Sequence, residues 1–107
     1  MKRICQVVSL DPERREEYLW LHAHVWPEIE DRLSSAGIAN YSIFNLDDLL
    51  IAYYEYEGDD HDRDIAAIAD HEPSRRWWAL TSACQRPLPD AAEGELWSSA
   101  REVWHLA

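Results

Sequence analysis

The sequence predicts an α+β domain with a ferredoxin-like antiparallel sheet, and two observations support this prediction. Segments of strand and helix character follow in the order β-α-β-β-α-β, the split βαβ arrangement, which places the helices on one face of the sheet. The two middle strands are joined by the short turn Leu46-Asp47-Asp48, which is typical of an antiparallel hairpin. The other sheet face needs a cover, and we expect a second copy to supply it, as in a dimeric α+β barrel.

The first strand and the first helix are predicted over residues 3–10 and 12–36. The strand segment is rich in apolar and β-branched residues. The helix begins with an N-cap acid followed by Pro12, and it ends at Gly37, the residue type that best adopts a left-handed cap. Pro27 lies inside this span and cannot donate a backbone hydrogen bond, so we expect a kink or a break just before it.

The second half of the chain predicts a hairpin, two helices and a final strand. The predicted bounds are strands at 38–45 and 49–57, helices at 63–70 and 74–86, a loop at 87–94 and a strand near the end of 96–106. In the first of these strands, strict alternation places Ala39, Tyr41 and Ile43 on one face and Ile38 on the other. In the last strand, residues 103–106 carry the alternation.

Length, charge and cysteine content narrow the class of protein. Residues 1–107 are enough for one domain. A net charge of −11 repels phosphate backbones and anionic membranes, so neither nucleic acid nor a membrane is an expected partner. No apolar run approaches the roughly 18 residues of a membrane span, and Met1-Lys2-Arg3 leads into a strand instead of a signal-peptide core, so we expect a cytoplasmic protein. Cys5 and Cys84 are expected to be reduced thiols, one in a strand and one in a helix.

An aromatic helix face around His22 is the strongest candidate for chemistry. Tyr18, His22, Trp26 and Ile29 recur at helical spacing and therefore share one inward face. An imidazole, with an ordinary pKa of about 6.5, exchanges a proton near neutral pH. A histidine among rings is also a common hydrogen-bonded core residue, so composition alone leaves a catalytic and a structural role open.

A second set of aromatic residues favours a carbohydrate ligand. Six tryptophans and five tyrosines exceed what a core of this size needs, so some should line a pocket or a subunit interface. Aromatic faces stack on the apolar face of a sugar ring, and phenol and indole groups form hydrogen bonds with its hydroxyls. Taken singly, each fits core or dimer packing. The candidates are Tyr18, Tyr41, Trp77 and Trp78.

Other kinds of site have less support. His24 lies two positions after His22, on nearly the opposite side of a helix, so the pair is poorly placed to bind a metal and none is expected. There is no Gly-rich phosphate loop, Gly-x-Ser-x-Gly elbow or nucleophilic cysteine motif, so neither a nucleotide nor covalent catalysis is expected. An acidic run lacks the glycine and glutamate of an EF-hand and fits a solvated helix cap. It comprises Asp59, Asp60, Asp62 and Asp64.

Four motifs spread over nearly the whole chain point to one family. They are Tyr18-x-x-x-His22-x-x-x-Trp26-Pro27-Glu28, Gly37-Ile38-x-Asn40-Tyr41-Ser42-Ile43, Arg76-Trp77-Trp78 and Glu102-Val103-Trp104-His105-Leu106. In combination they resemble the L-rhamnose mutarotases. The resemblance implies a dimeric ferredoxin-like enzyme that interconverts the α and β anomers of a 6-deoxyhexose without a cofactor. It implies His22 as proton donor and, as sugar-binding residues, Tyr18, Tyr41, Trp77 and Trp78.

The sequence leaves alternatives open for the sugar, for the proton acceptor and for the function itself. Residues 86–94 differ from the Asn-Pro-Asp-x-Ser-Pro loop usual in this family, so L-fucose is the alternative to L-rhamnose. Mutarotation places a proton on the ring oxygen and removes one from the anomeric hydroxyl. His22 can supply the first, and a tyrosine, a water or the backbone near Ala23 can accept the second. The rival functions are a small dimeric α+β-barrel monooxygenase or haem-degrading enzyme, which is a fold-level analogy, and a non-catalytic sugar-binding module.

Overall fold

The computed structural model describes residues 1–107 and confirms the predicted α+β architecture. A single 3-10 turn, Pro12–Arg14, leads into the first α-helix. None of the helices combines the length and the apolar character that crossing a membrane requires. In chain order the elements are β1 (Lys2–Leu10), α1 (Arg15–Ala23), α2 (Pro27–Ser35), β2 (Ile38–Leu46), β3 (Leu49–Tyr56), α3 (His61–Ile68), α4 (Glu72–Ser82), β4 (Gln85–Arg86) and β5 (Ser98–Ala100).

The sheet is antiparallel with the strand order β2-β3-β1-β4, which is the ferredoxin-like order, and β5 also pairs with β1. Two short strands thus share the fourth position. β4 pairs with Ser9 and Leu10, and β5 pairs with residues 5–7. The predicted strand at residues 103–106 is wrong. That segment has no regular structure and pairs with no strand of this chain, and Val103 is 83% exposed.

The predicted break before Pro27 is confirmed and separates α1 from α2. Residues 24–26 are not helical, and Trp26 is extended at the N-cap of α2 (φ −68°, ψ 135°). The residue before a proline is pushed out of the helical region, which explains this conformation. Gly37 follows α2 with φ +89°, as its predicted role as a left-handed cap requires.

The last helix ends earlier than the sequence predicts. α4 stops at Ser82, and Cys84 lies in a turn, so the prediction that this cysteine is helical is wrong. Sheet pairing competes with the helix here, because Gln85 pairs with Leu10 and the carbonyl of Cys84 accepts from the backbone of Asp11 at 2.9 Å. Both cysteines of the chain are free thiols, as predicted.

The buried residues form three clusters on the helix side of the sheet instead of one. The first centres on Tyr18 and Leu50, the second on Tyr54 and Ile68, and the third on Trp77 where α4 meets α2. A well-packed small domain usually has one contiguous core. The division leaves room for a cavity between the helices and the sheet.

The opposite face of the sheet carries apolar side chains that nothing in this chain covers. Val7, Ile51 and Phe44 lie side by side across β1, β3 and β2. Phe44 is 59% exposed and Leu46 is 61% exposed. This open sheet face is the surface for which the sequence predicts a second copy.

Candidate active site

A cavity of about 440 Å³ lies between the sheet and helices α1, α2 and α4. Its volume falls within the roughly 300–1,000 Å³ typical of small-molecule sites. Most of the lining residues come from β2, α2 and α4. His22 is the one residue of α1 that lines the cavity, and Ile68 is the one residue of α3. The cavity therefore brings together parts of the chain that are distant in sequence.

His22 is half-buried against aromatic rings at this cavity. Its ring stacks on Tyr18 with centroids 4.2 Å apart and meets the edge of Trp77 at 5.3 Å. Its Nδ1 lies 3.1 Å from the backbone carbonyl of Tyr18, one helical turn earlier. Burial lowers the pKa of His22 below its ordinary value, and the bond to the carbonyl only partly opposes this. Burial therefore favours the neutral imidazole.

Tyr18 supports His22 from beneath and does not itself line the cavity. It is only 2% exposed, and its hydroxyl is a buried polar atom with no hydrogen-bond partner of normal geometry. Burial raises the pKa of Tyr18, and Gln85 nearby offsets only part of that rise. Tyr41, a cavity residue, raises this pKa further.

A β-bulge brings Tyr41 to the cavity. β2 contains one extra residue between Ala39 and Ser42 relative to β3, and Asn40 takes a left-handed conformation there (φ 50°). Ile38 and Tyr41 consequently lie on the same face, both at the cavity. The prediction that strict alternation separates them is wrong, because a bulge adds one residue to the period.

The phenol of Tyr41 is held as a neutral hydrogen-bonding group. The side chain is 42% exposed, yet desolvation, first, and the neighbouring Tyr54 raise the pKa of Tyr41 to about 12. The two rings pack with centroids 5.3 Å apart. A protonated phenol can both donate to and accept from a sugar hydroxyl.

Trp77 and Trp78 both line the cavity, but they differ in burial. Trp77 is 5% exposed and packs edge-on against Trp26 at 5.2 Å, so it belongs to the core as well as to the site. Trp78 is 39% exposed and presents free aromatic surface. Adjacent residues on a helix point about 100° apart, which accounts for the difference.

The structure adds polar groups that the sequence reasoning missed. Glu30 and Ser34 lie one turn apart on α2, beside the apolar pair Ile29 and Leu33, and their spacing of four was the available signal. Ser74 of α4 also lines the cavity. Glu30 is the only carboxylate among the lining residues, and no lysine or arginine joins it. A cavity of this composition suits an uncharged, hydroxylated ligand.

Two further predictions concern His24 and the acidic run at the start of α3. His24 is exposed, stacks on Trp20 at 4.3 Å and does not line the cavity. The acidic run acts as a helix cap, since the Asp60 side chain accepts from the backbone of Arg63 at 3.1 Å at the start of α3. No group of three or more His, Cys, Asp or Glu side chains is arranged to hold a metal ion.

Known proteins are similar in sequence to this chain over nearly its whole length. The family model for L-rhamnose mutarotase matches residues 3–106. The L-rhamnose mutarotase of Listeria monocytogenes serotype 4b (strain F2365) is 36% identical over 111 residues, which cover 100% of both chains. That of Burkholderia cenocepacia (strain HI2424) is 37% identical over 108 residues, which cover 99% of each.

Solved structures confirm the fold. An L-rhamnose mutarotase from Formosa agariphila superposes with a TM-score of 0.76 at 24% identity, over 100% of both chains. Tetracenomycin F2 cyclase from Streptomyces glaucescens, a type-II polyketide cyclase, superposes with a TM-score of 0.70 at 16% identity, also over 100% of both chains. At these identities the likeness concerns the α+β barrel fold alone. The family match and the full-length sequence relatives go further, and they show that this chain belongs to the L-rhamnose mutarotase family.

Proposed function

We propose that this protein interconverts the α and β anomers of L-rhamnose or a closely similar 6-deoxyhexose. The observation that carries the proposal is the placement of His22. A proton-exchanging ring lines a cavity of sugar-binding size whose walls are aromatic, apolar and hydroxylated. The names of the L-rhamnose mutarotase relatives indicate which sugar to propose, and the chemistry of the cavity suits that sugar.

His22 is the proton-transfer residue of this proposal. Mutarotation moves one proton between the anomeric hydroxyl and the ring oxygen, which are bonded to the same carbon. Acid–base assistance by one placed group accelerates such a reaction by about 10²–10⁴-fold. No second chemical group beyond the imidazole is needed for an acceleration of that size.

The aromatic residues bind the sugar in this proposal. Trp78 offers exposed ring surface to the apolar face of the pyranose. The buried ring of Trp77 forms part of the cavity wall. Tyr41 contributes a neutral phenol for a sugar hydroxyl. The buried hydroxyl of Tyr18 lies outside the cavity wall, next to His22, so in this proposal it binds a sugar hydroxyl only when the side chains between them move.

Anomer exchange measured by saturation-transfer NMR tests the proposal directly. Wild-type protein is expected to accelerate the exchange of L-rhamnose, and the same assay on L-fucose measures its preference. His22→Ala is expected to lose about 10²-fold or more of this rate. His24→Ala is the matched control, because Nδ1 of His24 also bonds to the backbone carbonyl four residues earlier, that of Trp20, but the side chain lies outside the cavity.

Each outcome of this assay has a separate meaning. If wild-type protein accelerates neither sugar, the enzymatic proposal fails. Binding of a sugar without acceleration favours a sugar-binding module instead. If His22→Ala keeps the full rate, the assignment of His22 fails while the activity stands.

We also propose that the chain forms a homodimer through its open sheet face. Val7, Ile51 and Phe44 form an apolar row across three strands on that face. A domain of about 100 residues buries a limited share of its surface alone, so covering this row adds a substantial apolar contribution. A two-fold axis allows the same face of each copy to cover the other.

A further inference from the structure

Tyr54 of β3 lies opposite the bulge that carries Tyr41. The ladder between β2 and β3 is regular on both sides of the bulge, so Asn40 and Tyr41 together oppose Tyr54 alone. The rings of the two tyrosines pack at an angle of 42° with their centroids 5.3 Å apart. Tyr54 is 6% exposed, whereas Tyr41 is 42% exposed and lies on an edge strand of the sheet. The buried ring of Tyr54 is therefore the surface against which the ring of Tyr41 rests.

The hydroxyl of Tyr54 is anchored at the start of α3. It lies 2.8 Å from Nε2 of His61, the first residue of that helix. Nδ1 of the same ring lies 3.1 Å from a carboxylate oxygen of Asp62, which only accepts hydrogen bonds, so Nδ1 carries a hydrogen. In the neutral imidazole Nε2 accepts from Tyr54, and in the imidazolium it donates to Tyr54, so the bond forms in either state. The ring of Tyr54 is thus held at both ends, by its backbone and by His61.

The hydroxyl of Tyr41 has no comparable anchor. It forms no hydrogen bond within the chain, which leaves it free to bind a sugar hydroxyl, and Tyr54 is the aromatic neighbour on which its ring packs. Hydrogen bonds weaken steeply when their geometry is poor. The strength of a bond between Tyr41 and a sugar therefore depends on how firmly Tyr54 is held.

We propose that Tyr54 and His61 form a positioning pair that holds the phenol of Tyr41 in the pose that binds a sugar hydroxyl. This inference rests on the proposed mutarotase function and extends its site to the start of α3. Neither member of the pair lines the cavity. His61 acts through Tyr54, and Tyr54 acts through Tyr41.

Tyr56 provides a matched control for this pair. It lies two residues after Tyr54, on the same face of β3, and it is 2% exposed. Its hydroxyl also bonds to α3, by donating to the carboxylate of Asp64. It neither lines the cavity nor packs on Tyr41. Tyr56→Phe therefore removes a similar buried hydroxyl without disturbing the proposed pair.

The kinetics of anomer exchange, measured by saturation-transfer NMR on L-rhamnose, test the pair. Tyr54→Phe and His61→Ala should each raise KM by about 3–10-fold with kcat unchanged, because each weakens a hydrogen bond that contributes equally in the ground state and the transition state. His61→Gln, whose side-chain carbonyl can accept from Tyr54, should keep KM near the wild-type value. Tyr56→Phe should destabilise the protein but leave KM unchanged. In a Tyr41→Phe background, Tyr54→Phe should cause no further rise, because the phenol through which it acts is gone.

The packing of the two rings is also measurable without a sugar. Cross-relaxation NMR between the rings of Tyr41 and Tyr54 should be strong in the wild type and weaker in His61→Ala. It should recover in His61→Gln. A structural role of His61 that does not reach Tyr41 would leave this signal unchanged.

Several results would overturn the inference. One is an unchanged KM in Tyr54→Phe, and another is an equal rise when Tyr41→Phe is already present. An equal rise in Tyr56→Phe would show that loss of stability, and not the position of Tyr41, changes KM. A wild type that accelerates no sugar is a different result, since it removes the proposed function itself. Even then, the cross-relaxation signal decides whether His61 and Tyr54 orient Tyr41.

Discussion

At the scale of single residues, Tyr18 links the core of the protein to its candidate chemistry. Its ring is fully inside the cluster that includes Leu50 and Cys84, and its carbonyl orients His22. Its hydroxyl is buried without a partner. A buried hydroxyl that lacks a hydrogen-bond partner lowers the free energy of unfolding.

Tyr18→Phe is therefore expected to have opposite effects on stability and on binding. Without the buried hydroxyl, the free energy of unfolding in urea should stay equal or rise by about 1 kcal/mol. The KM for L-rhamnose should rise several-fold, because a sugar hydroxyl loses its partner. Urea unfolding and anomer-exchange kinetics measure the two effects.

Tyr54→Phe provides the control for this change. Tyr54 is buried to a similar degree, but its hydroxyl is hydrogen-bonded to Nε2 of His61 at 2.8 Å. Its removal should lower the free energy of unfolding by about 1 kcal/mol. If Tyr18→Phe destabilises the protein as much as Tyr54→Phe does, the hydroxyl of Tyr18 has a partner and does not await a sugar.

At the scale of elements, interruptions of regular structure build the site. The break before Pro27 gives α1 and α2 separate directions, so that His22 on α1 and Glu30 on α2 line the same cavity. Gly37 turns the chain from α2 directly into β2, and the bulge at Asn40 then places Tyr41 on the cavity side. Each of these features is a local exception to helical or strand periodicity.

Gly37→Ala is expected to destabilise the protein more than Gly94→Ala. Both glycines have positive φ, +89° and +82°, so each substitution adds backbone strain of about 1–2 kcal/mol. Only at Gly37 would the new Cβ also meet packed atoms, at 3.3 Å from the backbone nitrogen of Gly58 and from the ring of Tyr56. At Gly94 it would meet nothing within 4 Å. Urea unfolding of both variants measures the difference, and equal losses would show that packing around Gly37 contributes nothing.

At the scale of the whole molecule, one face of the sheet is covered by four helices and the other is open. The helix side holds the buried residues and the cavity, whereas Phe44 and Leu46 on the other side are 59% and 61% exposed. Residues 101–107 are exposed as well, beyond the ion pair of Arg3 with Glu102 at 2.6 Å. The proposed dimer follows from this one-sided arrangement.

Phe44→Glu is expected to convert a dimer into a folded monomer. The new carboxylates would face each other across the two-fold axis and would lose solvation there, while the exposed side chain contributes little to the core of its own chain. Sedimentation velocity measures the mass, and circular dichroism checks the fold. Leu80→Glu, at a residue of α4 that is 45% exposed, should leave the dimer intact. A monomeric wild type, or a dimer that survives Phe44→Glu, would exclude this interface.

Much of the fold and part of the site could be predicted from the sequence because they depend on local rules. Period-two and period-3.6 patterns predicted the first three strands and the helices, and the order of these elements predicted the ferredoxin-like sheet. Pro27 and Gly37 marked the break after α1 and the end of α2.

The helical spacing of Tyr18 and His22 predicted that they share a face of α1, and their rings do stack. Trp26 and Ile29, predicted on the same face, instead lie beyond the break, at the N-cap of α2 and within it. The bulge at Asn40 could not be predicted in this way, since it depends on pairing with β3 and leaves the residue pattern of β2 unchanged.

By itself, the sequence determined the α+β class, the break between α1 and α2 and the aromatic helix face that includes His22, because these features arise from residues a few positions apart. Only the tertiary structure decided which residues meet at the cavity. It joined Glu30, Tyr41 and Trp78 from three elements, placed Tyr18 beneath His22 instead of in the wall, and left residues 103–106 unpaired. Such contacts depend on which surfaces are buried together, and chain-local periodicity carries no information about that.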